Sequence, residues 1–300
     1  MSGDLRETSP IVMPYTLGHE NVGYVHELGS EVIGFKTGDL VMVYGGWGCG
    51  TCEHCRGGDE QICPDRQWAG VSPRFQGGYA EYMYVPSYKY LIKVEGDPAK
   101  LAPLTDAGLS SYRPVKKAMK FLGPDSFSAV IGVGGLGSFA VQYLKLLTNS
   151  SIIAVDISEE RLGLAKDLGA DFAVNSQSDR ALEKLKGIVA PSRGAMAILD
   201  FVGLESTAEM ALKIIAKKGV YIDMGLAGGI TRIHLPFLTR TEITVTGSGW
   251  GNYNELSEVY RLYHAGKIRV FSRTRKLEEI NSVADEMKRG ALLERIVLVP

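Results

Sequence analysis

Four cysteines stand close together in the first third of the chain. They are Cys49, Cys52, Cys55 and Cys63, which gives the spacing C-x2-C-x2-C-x7-C within a glycine-rich loop. Four thiolates at this spacing can close a tetrahedral shell around Zn²⁺, and such a shell leaves no position for a substrate. The pattern therefore predicts a structural zinc site. Two disulfides or four unconnected thiols are the alternative, which the adjacent C-x2-C steps disfavour because they match the reach of a zinc shell.

A second glycine-rich segment carries the pattern G-x-G-x-x-G. It consists of Gly132, Val133, Gly134, Gly135, Leu136 and Gly137. It follows the apolar run Ala129–Ile131 and opens the helical run Ser138–Leu147. A loop in this position directs backbone N–H groups and the positive end of the helix dipole at a pyrophosphate. We therefore predict a dinucleotide site; the alternative is a glycine-rich turn that binds nothing.

An acidic residue indicates which dinucleotide would bind. Asp156 ends the next strand-like run, where a carboxylate can hydrogen-bond both ribose hydroxyls of NAD and repel a 2′-phosphate. Arg161 lies one helical turn further on and could partly offset this preference, although such an arginine is more often a solvated residue flanking the adenosine. The sequence therefore predicts NAD rather than NADP.

Alternating elements surround these residues. The first hundred residues are rich in glycine, tyrosine and β-branched residues, and alternating runs such as Val22–Glu27 and Ala80–Val85 predict irregular β structure. From Phe127 onward, apolar runs alternate with helical segments, which is typical of a parallel α/β sheet. The strands are predicted at residues 129–131, 152–155, 172–174, 197–199, 220–222 and 243–246. The turns after three of them contain Val202, Gly225 and Ser248, which are candidate cofactor contacts or else simple turns.

Charge and hydropathy narrow the function classes. The chain has 300 residues with 33 basic and 34 acidic side chains, a net charge of −1, so a nucleic-acid ligand is disfavoured. No run of about 20 apolar residues predicts a membrane span, and the N-terminus lacks the features of an export signal. Four clustered cysteines suit a metal site in a reducing compartment, so we expect a cytoplasmic protein.

Two further motifs carry a family resemblance. Gly18-His19-Glu20 and the run Gly77–Tyr82 match the GHE and GG-x-A-E-Y motifs of the zinc-containing medium-chain alcohol dehydrogenases, and the chain resembles that family along nearly its whole length. The resemblance implies an α/β fold in which a Rossmann doubly wound parallel sheet, residues 105–247, is inserted in a GroES-like β domain, residues 1–104 and 248–300. It also implies NAD and zinc as cofactors, a primary or secondary alcohol or its aldehyde or ketone as substrate, and a homodimer or homotetramer.

The resemblance also implies a catalytic zinc. In the family this metal is held by an early Cys, the His of GHE, and a Cys or Asp shortly before the Rossmann domain. His19 and Asp106 match the second and third ligands, and Glu20 is expected to support His19 or to exchange onto the metal. As alternatives, His19 is an ordinary turn histidine and Asp106 a helix N-cap before Ala107. The pocket walls are expected partly from the loops around Trp68 and Trp250.

The first catalytic ligand has no counterpart in the sequence. Gly3-Asp4 resembles the pair that follows this Cys in the family, so we expect the ligand to lie several positions before Met1 and the GroES-like domain to be truncated at its N-terminus. Strands that pair with the missing part would then have exposed edges. Two hypotheses follow: an active NAD- and zinc-dependent alcohol dehydrogenase, or an inactive remnant that still binds NAD and zinc.

Overall fold

The computed structural model describes residues 13–290 and 292–300; Gly3 and Asp4 lie outside these ranges. The chain divides into two compact units. Unit 1 comprises the residues up to Leu109 together with Trp250–Pro300, and unit 2 comprises Ser110–Gly249. The sequence-derived boundary after residue 104 assigned Asp106 to the second domain, whereas in the structure Asp106 belongs to unit 1. The physical reason is that the short 3₁₀ turn Ala102–Thr105, just before Asp106, packs against strands of unit 1.

Strands and helices are numbered along the chain. The strands are β1 (Asn21–Tyr24), β2 (Leu40–Val43), β3 (Gly46–Trp47), β4 (Gln67–Trp68), β5 (Leu91–Lys93), β6 (Phe127–Ile131), β7 (Ser151–Asp156), β8 (Phe172–Asn175), β9 (Ala195–Asp200), β10 (Ile215–Asp223), β11 (Thr244–Gly247), β12 (Ser272–Lys276) and β13 (Arg295–Val299). The α-helices are α1 (Glu53–Arg56), α2 (Pro98–Leu101), α3 (Ala107–Ala118), α4 (Gly137–Leu147), α5 (Glu159–Asp167), α6 (Ala181–Val189), α7 (Glu205–Ile214), α8 (Leu235–Thr241), α9 (Tyr253–His264) and α10 (Ile280–Lys288).

Unit 2 contains a six-stranded parallel sheet. Its order is β11-β10-β9-β6-β7-β8, so the chain starts in the middle, runs to one edge, and then returns to build the other half. This is the strand order of the doubly wound Rossmann fold. β6 and β7 are buried along almost their whole length, which is typical of a parallel sheet covered on both faces. The predicted fold class and all six predicted strands are confirmed; five strands have wider bounds than the sequence indicated, and the sixth is shifted by one residue to Thr244–Gly247.

The core of unit 2 explains why these runs form strands. Ile153, Val155 and Ile198 are fully buried in one apolar cluster, to which α6 contributes Leu185 and α7 contributes Ile214. Each fully buried side chain of this kind stabilises the fold by about 1.5–3 kcal/mol relative to an exposed one. The carboxyl ends of the parallel strands therefore share one edge of a rigid sheet, which is where ligands bind in such folds.

Unit 1 combines both ends of the chain in small sheets. β1, β2 and β5 form an antiparallel sheet, β3 pairs with β4, and β12 pairs in parallel with β13 near the C-terminus. β13 also packs against the 3₁₀ turn Ala102–Thr105. The C-terminal segment therefore lies in the same compact unit as the N-terminal segment.

The predicted strand at Ala80–Val85 is wrong. This segment forms no strand, and Tyr82 and Tyr84 are 67% and 75% exposed. An alternating sequence becomes a strand only where a neighbouring backbone satisfies its N–H and C=O groups. In the described part of the chain no strand pairs with this segment.

None of the helices within residues 13–290 and 292–300 has the length and apolarity of a bilayer span.

Candidate functional site

The four cysteines converge in unit 1. All four Sγ atoms lie within 4.8 Å of one another, and all four residues are free thiols. The short helix α1 holds two of them, because Cys52 caps its N-terminus and its sulfur accepts the N–H of Cys55. Gly48 is required at this point, since a Cβ there would lie 2.5 Å from the Cys55 sulfur.

The donor geometry fits a zinc ion. The Cys49–Cys55 and Cys52–Cys63 sulfur pairs are 4.0 and 3.7 Å apart. Zn–S bonds of about 2.3 Å place neighbouring sulfurs of a regular tetrahedron about 3.8 Å apart. The side chain of His54 is directed to Glu53, with 3.9 Å between Nε2 and Oε1. This donor set could therefore hold a zinc ion with four thiolate ligands.

Three thiols of the cluster differ in their pKa values. The Thr51 side chain and the backbone N–H groups of Thr51 and Cys52 lower the pKa of Cys49 to about 6. Burial raises the pKa of Cys55 to about 12, and it also raises the pKa of Cys63. Without a metal, Cys49 is therefore the first of these three thiols to ionise. A divalent cation would supply the charge that favours thiolate at the other positions.

A second pair of ligand atoms comes from His19 and Asp106. His19 lies just before β1 and Asp106 lies just before α3, and Nε2 of His19 is 3.1 Å from Oδ2 of Asp106. Gly18 precedes the histidine with φ of +105°, and a Cβ there would lie 2.8 Å from the Tyr79 ring, so glycine is needed. The local turn and the start of α3 thus join two residues that the resemblance assigns to one metal.

The electrostatics of this pair favour a cationic imidazole. Burial lowers the pKa of His19. The hydrogen bond and negative charge of Asp106, together with the charge of Glu20, raise it by more than burial lowers it, so the net shift of the pKa is upward. The side chain of His19 is 38% exposed and that of Asp106 is 18% exposed. In the metal-free protein, Asp106 therefore stabilises a proton on His19, and a metal ion would take the place of that proton.

Glu20 is directed elsewhere. Its Oε1 accepts the N–H of Ala107 at 3.1 Å and lies 2.6 Å from Nη2 of Arg295. Among the described residues, only the four cysteines bring three or more such ligand atoms together, so Glu20 is not gathered with His19 and Asp106. Sequence reasoning missed Arg295, because nothing in the run of β13 indicates that one of its side chains meets a residue near the start of the chain.

Aromatic side chains border the histidine. The ring of Trp250 meets His19 edge to face, with centroids 5.6 Å apart, and Trp68 meets Trp250 at 5.5 Å. The indole N–H of Trp250 donates to the carbonyl of Thr105 at 3.1 Å. Both loops that the sequence indicated as pocket walls therefore reach the neighbourhood of His19.

The glycine-rich loop of unit 2 links β6 to α4. Gly132 has φ of +83°, and a Cβ on Gly137 would lie 1.9 Å from the carbonyl oxygen of Gly132, so both positions require glycine. At Gly134 a Cβ would meet nothing nearer than Nη1 of Arg161, at 3.8 Å. Gly135 and Leu136 lead into α4, with Leu136 at its N-cap. The loop therefore leaves room for a phosphate group at Gly134, next to the start of a helix.

Asp156 fixes this loop from the end of β7. Its Oδ2 accepts the N–H of Val133 at 2.8 Å, and its Oδ1 accepts the N–H of Ser158 at 3.0 Å. Arg161 begins its helical turn with a hydrogen bond from its N–H to the Ser158 hydroxyl, the N-cap of α5. A carboxylate and a guanidinium thus lie beside the loop, and both can face an adenosine ribose.

The remaining candidate contacts lie at the same edge of the sheet. The N–H of Val202 donates to Asp200 Oδ1 at 2.9 Å, a Cβ on Gly225 would lie 2.0 Å from the Val202 carbonyl carbon, and the N–H of Ser248 donates to the Asp223 carbonyl. Asp200 was missed, although its position at the end of β9 repeats that of Asp156 at the end of β7. It is fully buried and accepts the hydroxyl of Tyr221 at 2.9 Å.

Comparison with known proteins gives two family matches. Residues 2–96 match the alcohol dehydrogenase GroES-like domain, and residues 135–265 match the zinc-binding dehydrogenase domain. An NAD-dependent alcohol dehydrogenase of Saccharolobus solfataricus is 39% identical over 303 residues, covering 99% of this chain and 86% of the relative.

Solved structures show the same likeness. The alcohol dehydrogenase of the archaeon Aeropyrum pernix superimposes with a TM-score of 0.94 at 38% identity, covering 99% of this chain and 86% of that one. Acetophenone reductase from Geotrichum candidum, solved in complex with NAD, gives a TM-score of 0.87 at 30% identity over 99% of this chain and 85% of that one.

Proposed function

Because the chain belongs to the zinc-containing medium-chain alcohol dehydrogenase family, we propose that it oxidises primary or secondary alcohols to carbonyl compounds with NAD as the hydride acceptor. The observation that carries this proposal is the hydrogen-bonded pair His19 and Asp106, which joins two separate segments at 3.1 Å. The likeness to NAD-dependent alcohol dehydrogenases over nearly the whole chain favours the enzyme over the inactive remnant.

Two metal sites form part of the proposal. His19 and Asp106 would supply two of the three protein ligands that the family resemblance implies for a catalytic zinc, which when bound supplies the Lewis acidity that lowers the pKa of an alcohol hydroxyl. Cys49, Cys52, Cys55 and Cys63 would hold a structural zinc. With both sites filled, the chain carries two zinc ions. Glu20 would act beside His19 through its charge, held in place by Arg295 and the N–H of Ala107.

The protein's own groups prepare the catalytic site. His19 must lose its proton before Nε2 can ligate a metal, and the carboxylate of Asp106 makes that loss harder. Metal occupancy should therefore decline as the pH falls and protons compete for Nε2. The ring of Trp250 contacts that of His19, and Trp68 packs against Trp250.

Unit 2 would bind the dinucleotide. Gly132, Gly134, Gly135, Leu136 and Gly137 would surround the pyrophosphate, and Asp156 would accept the ribose hydroxyls. Arg161 would flank the adenosine, and Val202, Gly225 and Ser248 would contact the cofactor from the turns after the later strands. Because Asp156 is negatively charged, it would repel the 2′-phosphate of NADP.

Two predictions from the sequence concern the cellular context. Its clustered cysteines suit a reducing compartment and predict a cytoplasmic location. The family resemblance predicts a homodimer or homotetramer. Neither prediction bears on the residues of the two sites.

The proposal is tested by two measurements on the purified 300-residue chain. Elemental analysis after dialysis counts zinc per chain, and NADH absorbance follows the oxidation of a series of alcohols. We expect two zinc ions and NAD-dependent oxidation in the wild type, and loss of one zinc and of activity in His19→Ala and in Asp106→Asn. Two zinc ions and unchanged activity in both variants would show that the metal is held elsewhere, and one zinc with no activity in the wild type would refute the enzyme.

A further inference from the structure

Trp250 occupies a backbone conformation that large residues seldom adopt. Its φ is +50°, in the left-handed region, and it lies between Gly249 and Gly251. A glycine would satisfy this turn without strain, whereas a tryptophan must find compensation in the contacts of its side chain. The contacts of the indole therefore indicate why this residue stands here.

Those contacts connect the two proposed ligands of the catalytic metal. The indole ring meets the His19 ring edge to face at 5.6 Å, with an interplanar angle of 69°. Its N–H donates to the carbonyl of Thr105, the residue directly before Asp106, at 3.1 Å. One rigid side chain thus restricts the orientation of the histidine ring and the position of the backbone that carries the aspartate.

The indole itself has little freedom to move. Trp250 is 7% exposed, and a Cβ on Gly45 would lie 2.6 Å from its Cζ2 atom, so the ring fills the space that this glycine leaves. Trp68 packs against the same ring, with centroids 5.5 Å apart. Because the indole is enclosed in this way, it can transmit a fixed geometry to both of its partners.

We propose that Trp250 is a positioning residue that holds His19 and Asp106 in the arrangement required to bind the catalytic metal. This inference rests on the proposed function, because it concerns the metal that His19 and Asp106 would share. Trp250 ligates nothing itself; it acts through the ring contact with His19 and the hydrogen bond to Thr105.

Trp47 provides a matched control within unit 1. It is also buried, and its indole N–H donates to a backbone carbonyl, that of Tyr44, at 2.6 Å. Its ring contacts are with Phe75 and Tyr90 instead of the histidine. Trp47→Phe and Trp250→Phe therefore remove the same kind of hydrogen bond. The bond lost in Trp250→Phe is the one to Thr105, next to Asp106, whereas the bond lost in Trp47→Phe is the one to Tyr44.

The experiment measures metal affinity rather than turnover alone. Zinc dissociation from the site at His19 and Asp106 is titrated against a competing chelator, and Co²⁺ absorption spectra report the ligand geometry at that site. Both measurements are made on the wild type, Trp250→Phe, Trp250→Leu and Trp47→Phe. We expect both Trp250 variants to bind the second metal roughly 10- to 100-fold more weakly, the loss typical when a group supporting a metal ligand is removed. Their Co²⁺ spectra should change and kcat should fall while KM for NAD is retained, whereas Trp47→Phe should match the wild type.

The possible results distinguish a failure of the positioning role of Trp250 from a failure of the proposed function. Wild-type affinity and spectra in both Trp250 variants would overturn the positioning role while leaving the proposed function intact. If Trp250→Leu fails to fold, Trp250→Phe decides, because it keeps an aromatic ring while it loses the N–H donor and the second ring of the indole. An equal loss in Trp47→Phe would show a general effect on unit 1 and would also overturn the role. A wild type that holds a single zinc would refute the proposed function and this inference together.

Discussion

Glu20 and Arg295 form an ion pair that joins the two ends of the chain, with 2.6 Å between Oε1 of Glu20 and Nη2 of Arg295. The charge of Glu20 and burial act in opposite directions on the guanidinium, and the net effect raises the pKa of Arg295. Since Glu20 stands next to His19, this contact anchors the segment that carries a proposed metal ligand to the last strand of unit 1.

Arg295→Ala should destabilise the protein. Among the described residues, the substitution leaves the N–H of Ala107 as the hydrogen-bond donor to the partly buried Glu20 carboxylate, and we expect a loss of roughly 1–3 kcal/mol in the free energy of unfolding. Urea denaturation measures it. Arg273→Ala on the adjacent strand removes an exposed pair with Glu294 and should cost less than about 1 kcal/mol. Equal losses in the two variants would show that the buried pair has no special role.

Asp156→Ala should weaken NAD binding and reduce the preference for NAD over NADP. The carboxylate orders the glycine-rich loop through Val133 and would repel a 2′-phosphate, so both effects follow from one residue. The ratio of the two dissociation constants, measured by fluorescence titration, is the test. Asp171→Asn is the control, because Asp171 also accepts a β7 backbone N–H, that of Ile152, at the other end of the strand. An unchanged ratio in Asp156→Ala would contradict the assignment.

Cys49→Ser should remove one zinc and make the chain unfold or aggregate. Loss of a ligand opens a metal site whose binding free energy also stabilises the fold of the loop. Zinc per chain and the temperature of unfolding are measured beside His54→Ala, which should retain the zinc because its imidazole is directed to Glu53. A Cys49→Ser protein that is stable yet inactive would argue against a structural role for this cluster.

Asp223→Asn should stabilise the protein at neutral pH. Burial and the nearby charge of Asp200 raise the pKa of Asp223, so its ionised form is disfavoured in the folded state relative to the unfolded chain. The penalty is present above the folded pKa, and it disappears as the pH falls below the unfolded value of about 3.9. The gain from the substitution should therefore shrink on acidification. Asn retains an acceptor for the N–H of Gly225.

Asp39→Asn should change the stability of the protein in the opposite direction to Asp223→Asn. Hydrogen bonds from the side chain of Lys93 and the backbone of Lys36 lower the pKa of Asp39. This carboxylate therefore stabilises the folded state above its unfolded pKa, and that contribution is lost as the pH falls through the folded value. The variant should be less stable than the wild type at neutral pH, with the difference shrinking in acid. Urea denaturation across the pH range measures both variants, and a stability change in the same direction in the two would contradict one of the two assignments.

The sequence determined the features whose residues lie close together along the chain. The cysteine cluster and the glycine-rich loop each occupy a short segment, so the spacing alone restricts which atoms can meet. Alternating apolar runs and helical segments likewise determined the doubly wound sheet, because the burial of each strand depends on its own side chains. These features could be predicted because short-range chain geometry leaves few other arrangements.

Tertiary structure alone decided the contacts between distant segments. It placed Asp106 in unit 1 with His19, directed Glu20 to Arg295, and set Trp250 against the histidine ring. It also left Ala80–Val85 without a strand partner among the described residues, although its pattern alternates correctly. The physical reason is that a side chain's partner across the fold depends on how whole elements pack, and the spacing of residues along the chain carries no direct record of that packing.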